Sequence, residues 1–148
     1  MHDVPPVVPE SRRPSVTEVG TAYDTEPDGG GRGQAVTGAG LLLHVSGADA
    51  TLIQAGIRSA LNASAQLPTL TIEIVVQGSV VLFLRARSDL ENALTELAAT
   101  PVRVLSCQNS MRSVGLDAAD LLPSVSVVPA AVAHLTARQF EGWAYIRV

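Results

Sequence analysis

Cys107 is the only cysteine in the chain, and it stands where an apolar, strand-like run (Val102, Val104, Leu105) gives way to Gln108-Asn109-Ser110-Met111, which reads as the start of a short helix. A thiol just ahead of a helix N-terminus meets unpaired backbone N–H groups and the positive end of the helix dipole, and both stabilise a thiolate. That makes Cys107 a candidate nucleophile. A free cysteine also packs as a small hydrophobe, so position alone leaves a reactive and a structural reading open. With one cysteine the chain makes no internal disulfide, and a disulfide oxidoreductase would lack its resolving thiol.

Few other residues offer chemistry. His44 lies inside an apolar run, where an imidazole is either a hydrogen-bonded core group or a proton shuttle. Arg112 follows Cys107 on the same short helix; it either turns toward the thiolate or is a solvated helix arginine. His134, four residues before Arg138, reads as surface. Together with His2 near the N-terminus, the histidines and the cysteine show neither CxxC nor HExxH spacing, so no metal is expected. All ten basic residues are arginine, which excludes Schiff-base and phosphate-loop lysine chemistry. Asp89, Glu91, Asp117 and Asp120 fall at helix starts and Glu96 on a solvated helix face, so no carboxylate pair is read as an acid and base. Ser106 lacks a GxSxG elbow. No cofactor is expected.

The elements that must position these groups come from the patterning. At 148 residues with 47% hydrophobic content and mean hydropathy +0.27, the chain can bury one substantial core. A formal charge of −4 argues against a nucleic-acid partner. No apolar run approaches the ~20 residues that span a bilayer, and no signal-peptide core precedes the domain, so a cytoplasmic setting is expected. Residues 1–38 hold Pro5-Pro6, Pro9, Pro14, Pro27 and the run Gly29-Gly30-Gly31-Arg32-Gly33, which fails the GxGxxG spacing. They read as a disordered tail ahead of a 39–148 domain.

From Gly40 the pattern alternates. Residues 41–45 form a buried strand, followed by a helix capped by Asp49 with Leu52, Ile53, Ile57, Ala60 and Leu61 inward. Residues 70–76 form a second strand, ending at Gln77-Gly78. Ser88 to Glu91 reads as a capping box for a helix burying Leu90, Ala93, Leu94 and Leu97. Residues 102–106 form a third strand, and Gly115 ends the helix after Cys107. Residues 125–128 are a fourth strand, followed by a helix with Val132, Leu135 and Phe140 inward. An edge strand over 143–148 then closes the chain. Alternating strands and helices predict a mostly parallel sheet covered on both faces. Ligands of such sheets bind at the carboxyl ends of the strands, where His44 to Gly47, Gln77 to Ser79 and Ser106 to Asn109 arrive. Trp143 and Tyr145 share one face of the last strand, which suits either a subunit interface or the core.

Taken together, Cys107 to Met111, Asp120-Leu121-Leu122-Pro123, Val127-Val128-Pro129-Ala130 and Arg138 to Ile146 resemble the DsrE/DsrF-like family, with a weaker likeness over Ile72 to Gly78. The likeness covers about the last hundred residues. It implies a flavodoxin-like three-layer sandwich of about five mostly parallel strands. It also implies self-assembly as a homotrimer or homohexamer. Some members carry sulfur as a cysteine persulfide between donor and acceptor proteins of intracellular sulfur relays. The family cysteine maps onto Cys107 and the family asparagine onto Asn109, which also reads as the helix cap. Gln77-Gly78 occupies a position where relatives often place histidine or asparagine before the glycine, so a histidine base does not carry over. The catalytic reading is thus a sulfurtransferase or persulfide carrier using Cys107; the alternative is a noncatalytic homo-oligomeric or small-ligand-binding module.

Overall fold

The structure, a computed structural model, describes residues 39–148. The expected tail over 1–38, with its glycine run and His2, lies outside the described residues.

Strands β1 (Leu41–Ser46), β2 (Ile72–Gln77), β3 (Val102–Cys107), β4 (Val125–Val128) and β5 (Ala144–Arg147) form one five-stranded sheet in the order β4-β3-β2-β1-β5. Every pairing is parallel. The helices are α1 (Ala50–Gln66), α2 (Glu91–Leu97), α3 (Gln108–Ser113) and α4 (Ala131–Phe140), with 3₁₀ turns at Ser79–Leu84 and Ala118–Asp120. The α/β layering expected from the alternating pattern is therefore present.

Chain order dictates which helices share a face. From β1 to β4 the strands advance in one direction, so right-handed crossovers put their helices on the same side; β5 returns to the far side of β1, which sends α4 to the other. The core divides accordingly. Leu41, Leu43, Val45, Ile72, Ile74, Val76, Val102 and Val104 pack with Ile53, Ile57 and Ala60 of α1, Val80 and Leu84 of the first 3₁₀ turn, Leu94 and Leu97 of α2, and Met111 of α3. On the opposite face Leu42, Val75, Leu105, Cys107 and Val128 meet Ala131 and Leu135 of α4, with Trp143 beside them.

Local chemistry explains the boundaries and three departures. The Asp49 carboxylate accepts the Thr51 N–H at 2.8 Å and starts α1. Leu61 is 44% exposed, because it follows Ala60 by about 100° of helix rotation and leaves the buried stripe. The Ser88–Glu91 capping box does not form: the Ser88 hydroxyl donates to the Phe83 carbonyl, and the Glu91 carboxylate accepts from the Arg87 N–H. Arg87 lies at φ 62°, and that left-handed turn aims its own N–H at Glu91.

The third departure concerns α4. Val132 and Phe140 are 66% and 89% exposed, and the inward stripe is Ala131, His134, Leu135 and Arg138. The cause is Glu73, a fully buried carboxylate on β2 beneath this helix. It accepts from Arg103 at 3.1 Å, from Arg138 at 3.1 Å, and lies 2.6 Å from His134 Nε2. Burying a charge is costly unless it is paired, so the sheet selects His134 and Arg138 rather than Phe140 for the inner face. His134 is consequently not a free surface residue. The Arg138 guanidinium also stacks on Trp143, 4.7 Å from its ring centre. That ring lies over Gly40, where a Cβ would come within 2.4 Å of it. Among the described residues no helix is long and apolar enough to cross a membrane.

Candidate functional site

The connections after β3 and β4 diverge, one to α3 and the other to α4 on the opposite face, and a crevice opens where neighbouring connections part in this way. Cys107 is the last residue of β3 and pairs with Val128, the last residue of β4, so the thiol stands at that divergence. It also occupies the N-cap position of α3, in extended backbone at φ −73° and ψ 116°. Asn109, expected to be the cap, is instead inside α3 with its side chain exposed.

Among the described residues one hydrogen bond reaches Cys107 Sγ: the Ala131 N–H, first in α4, donates at 3.3 Å. Cys107 makes no side-chain cap hydrogen bond to α3. Burial, to 3% exposure, pushes the thiol pKa up, but the polar groups around it, Ser110, the Ala131 N–H and the Asn109 backbone, outweigh it and the net shift is downward. Asn109 therefore contributes through its backbone.

The neighbouring loop is tied to the same centre. Ser110 Oγ accepts the Gly78 N–H at 2.9 Å, linking the end of β2 to α3. Gly78 has φ 88°, and a Cβ there would lie 2.7 Å from the Gly47 carbonyl oxygen. Both facts require glycine. Gly47 in turn donates to the Gln77 carbonyl and accepts from Val80, so the β1 and β2 ends are laced together.

Gln77 and Cys107 each follow the paired residues Val76 and Ser106 by one position, which places them side by side on the α4 face. The Gln77 side chain does not point at an empty cleft unaided. Its Oε1 lies 3.1 Å from His44 Nε2, and His44 Nδ1 lies 2.8 Å from the Tyr145 hydroxyl. Since Oε1 only accepts, Nε2 carries the imidazole proton and Tyr145 donates to Nδ1. Burial lowers the His44 pKa, the Gln77 hydrogen bond opposes that, and the charge of Arg147 lowers it further. The ring is thus neutral at pH 7. His44, Gln77 and Tyr145 line a cleft of about 250 Å³ with Val132, Leu135, Thr136 and Gln139. Leu135 also packs against the cluster that contains Cys107.

The structure sets Gln77 beside Cys107 in register, ties Gly78 to Ser110 of α3 and joins His44 to Gln77, while Cys107 itself is not among the residues that line the cleft. Arg112 is not among them: it is exposed on the last turn of α3, and no described residue pairs with it. Ser110, Ala131 and Tyr145 escaped the sequence reading. Ser110 had a local signal, a hydroxyl three residues after a helix-leading cysteine; Ala131 and Tyr145 reach the site only through the sheet order. Among the described residues no group of three or more His, Cys, Asp or Glu side chains could hold a metal ion.

A parallel five-stranded α/β domain with a cysteine at the N-cap position of a helix on its carboxyl edge defines the class. Residues 42–148 match the DsrE/DsrF-like family, and the chain belongs to it. MTH1491 from Methanobacterium thermoautotrophicum, described as a protein of unknown function, is 36% identical. It superposes with a TM-score of 0.69 over 73% of this chain and 97% of its own. The ychN protein from E. coli shares the fold at 16% identity and a TM-score of 0.63, over 74% of this chain and 98% of its own. No curated protein matches the chain.

Proposed function

We propose that the protein is a sulfur-relay carrier that holds sulfane sulfur as a persulfide on Cys107. The observation that carries this reading is the placement of Cys107 at the N-cap position of α3 and at the divergence of two strand connections, with the Ala131 N–H of α4 donating to its sulfur. The Cys107 thiolate attacks the outer sulfur of a donor R–S–SH. The Cys107–sulfur bond forms, the donor S–S bond breaks, and R–S⁻ leaves with the bonding pair. An acceptor thiolate then attacks the outer sulfur of Cys107–S–SH and regenerates the Cys107 thiolate. No second cysteine, metal or redox cofactor enters either step. A reducing compartment such as the cytoplasm keeps the lone thiol free for this work.

Self-assembly belongs to the same proposal. Phe140 on α4 and Ile146 on β5 expose apolar surface at 89% and 51%, which suits a contact between copies of the chain. The 3% exposure of Cys107 favours the other reading, a noncatalytic oligomeric or ligand-binding module. Incubation with a sulfane-sulfur donor followed by intact-mass measurement separates the two. The carrier gains one sulfur that reductant removes, and the module gains none.

A further inference from the structure

We propose that the cleft lined by Gln77, which stands next to Cys107 in register, binds the sulfur anion of the donor through the Gln77 side-chain amide, with His44 and Tyr145 holding that amide in place. This rests on the carrier reading and adds to it the group that recognises substrate. Gln77 lines the cleft, its Oε1 is engaged by His44, and its NH₂ group has no hydrogen-bond partner among the described residues. An amide whose oxygen is pinned presents its donors in one direction. His44 is buried, and its Nδ1 is held by the Tyr145 hydroxyl at 2.8 Å. The chain Tyr145–His44–Gln77 thus runs from the half-open edge strand β5, across β1, to the position beside Cys107 on β2.

The lining gives the ligand its chemistry. Val132 and Leu135 provide apolar walls, while Thr136, Gln139 and Tyr145 are polar; among the described residues no carboxylate lines the cleft. Arg147, which pairs with His44 in register, places a positive charge close enough to act on the imidazole. A small aliphatic persulfide or leaving thiolate fits this setting, because its stem meets apolar walls and its negative sulfur meets N–H donors. Gln77 is therefore the substrate-contacting residue, and His44 and Tyr145 are positioning residues.

The test is single-turnover sulfur uptake from cysteine persulfide by the full chain, read by intact mass and normalised to the iodoacetamide alkylation rate of Cys107 in each variant. Gln77→Leu should slow normalised uptake about tenfold. Gln77→Glu keeps the acceptor for His44 but replaces the donor with a negative charge, and it should be slower still. Tyr145→Phe should cost about threefold alone and nothing further in the Gln77→Leu background, as expected of a residue acting through Gln77. Normalised uptake at the unsubstituted rate in Gln77→Leu and Gln77→Glu overturns this inference alone. No uptake by the unsubstituted protein overturns the carrier reading and this inference with it.

Discussion

The Ala131 backbone N–H donates to Cys107 Sγ across 3.3 Å, joining the first residue of α4 to the last residue of β3. The two residues are 24 apart in sequence. They meet because β4 lies beside β3 while its following helix crosses to the opposite face. The thiol thereby stands at the start of α3 while its hydrogen bond comes from α4, the helix that follows the neighbouring strand.

That arrangement sets the pH dependence of Cys107. Hydrogen bonds favour the thiolate, so the folded pKa lies below the ordinary thiol range and the anion persists to lower pH than in an unfolded chain. The iodoacetamide alkylation rate against pH should show a midpoint below the ~8.5 of free cysteine. Ser110→Ala removes a donor and should move the midpoint up.

His44 sets the acid side of stability. Its folded pKa is depressed below the ordinary ~6.5, so in the window between the folded and unfolded values the unfolded chain binds more protons. Its contribution is present above pH ~6.5 and is lost as pH falls through the folded value. Urea midpoints at pH 7.5 and 5.0 should therefore differ less in His44→Gln than in the unsubstituted protein.

Glu73 anchors α4 to the sheet. Glu73→Ala leaves Arg138 and His134 facing an emptied pocket and should cost about 3 kcal/mol in urea unfolding. Arg103→Ala should cost only about 0.5–1 kcal/mol, since the Arg103 side chain is 55% exposed and its ion pair is correspondingly screened.

Gly78 tests the backbone of the site. Gly78→Ala forces a side chain into a left-handed conformation and against the Gly47 carbonyl, which should destabilise the fold by about 1–3 kcal/mol. The loop that hydrogen-bonds Ser110 should loosen with it, and hydrogen exchange at the Gly78 N–H should quicken more than at β1 amides.

Much of the fold was legible because buried parallel strands advertise themselves. Residues 125–128 and the Asp49 cap stand where the periodicity put them, and Gly115 and Gly142 end their helices at φ 67° and 87°. The inner face of α4 was misread for a definite reason. Its orientation is decided by Glu73, 61 residues before His134, and a helix read alone favours Val132 and Phe140 over His134 and Arg138. The site divides similarly. Cys107, Gln77, Gly78 and His44 follow from strand ends, which sequence marks well; Tyr145 and the Ala131 N–H depend on β5 crossing to β1 and on α4 changing face, which no local pattern encodes.

The most direct measurement is the intact mass of the protein before and after a sulfane-sulfur donor, and again after an acceptor thiol. The carrier account predicts a gain of one sulfur on the unsubstituted protein, its removal by the acceptor, and no gain in Cys107→Ala. An unchanged mass with several donors, or an equal gain in Cys107→Ala, would contradict it.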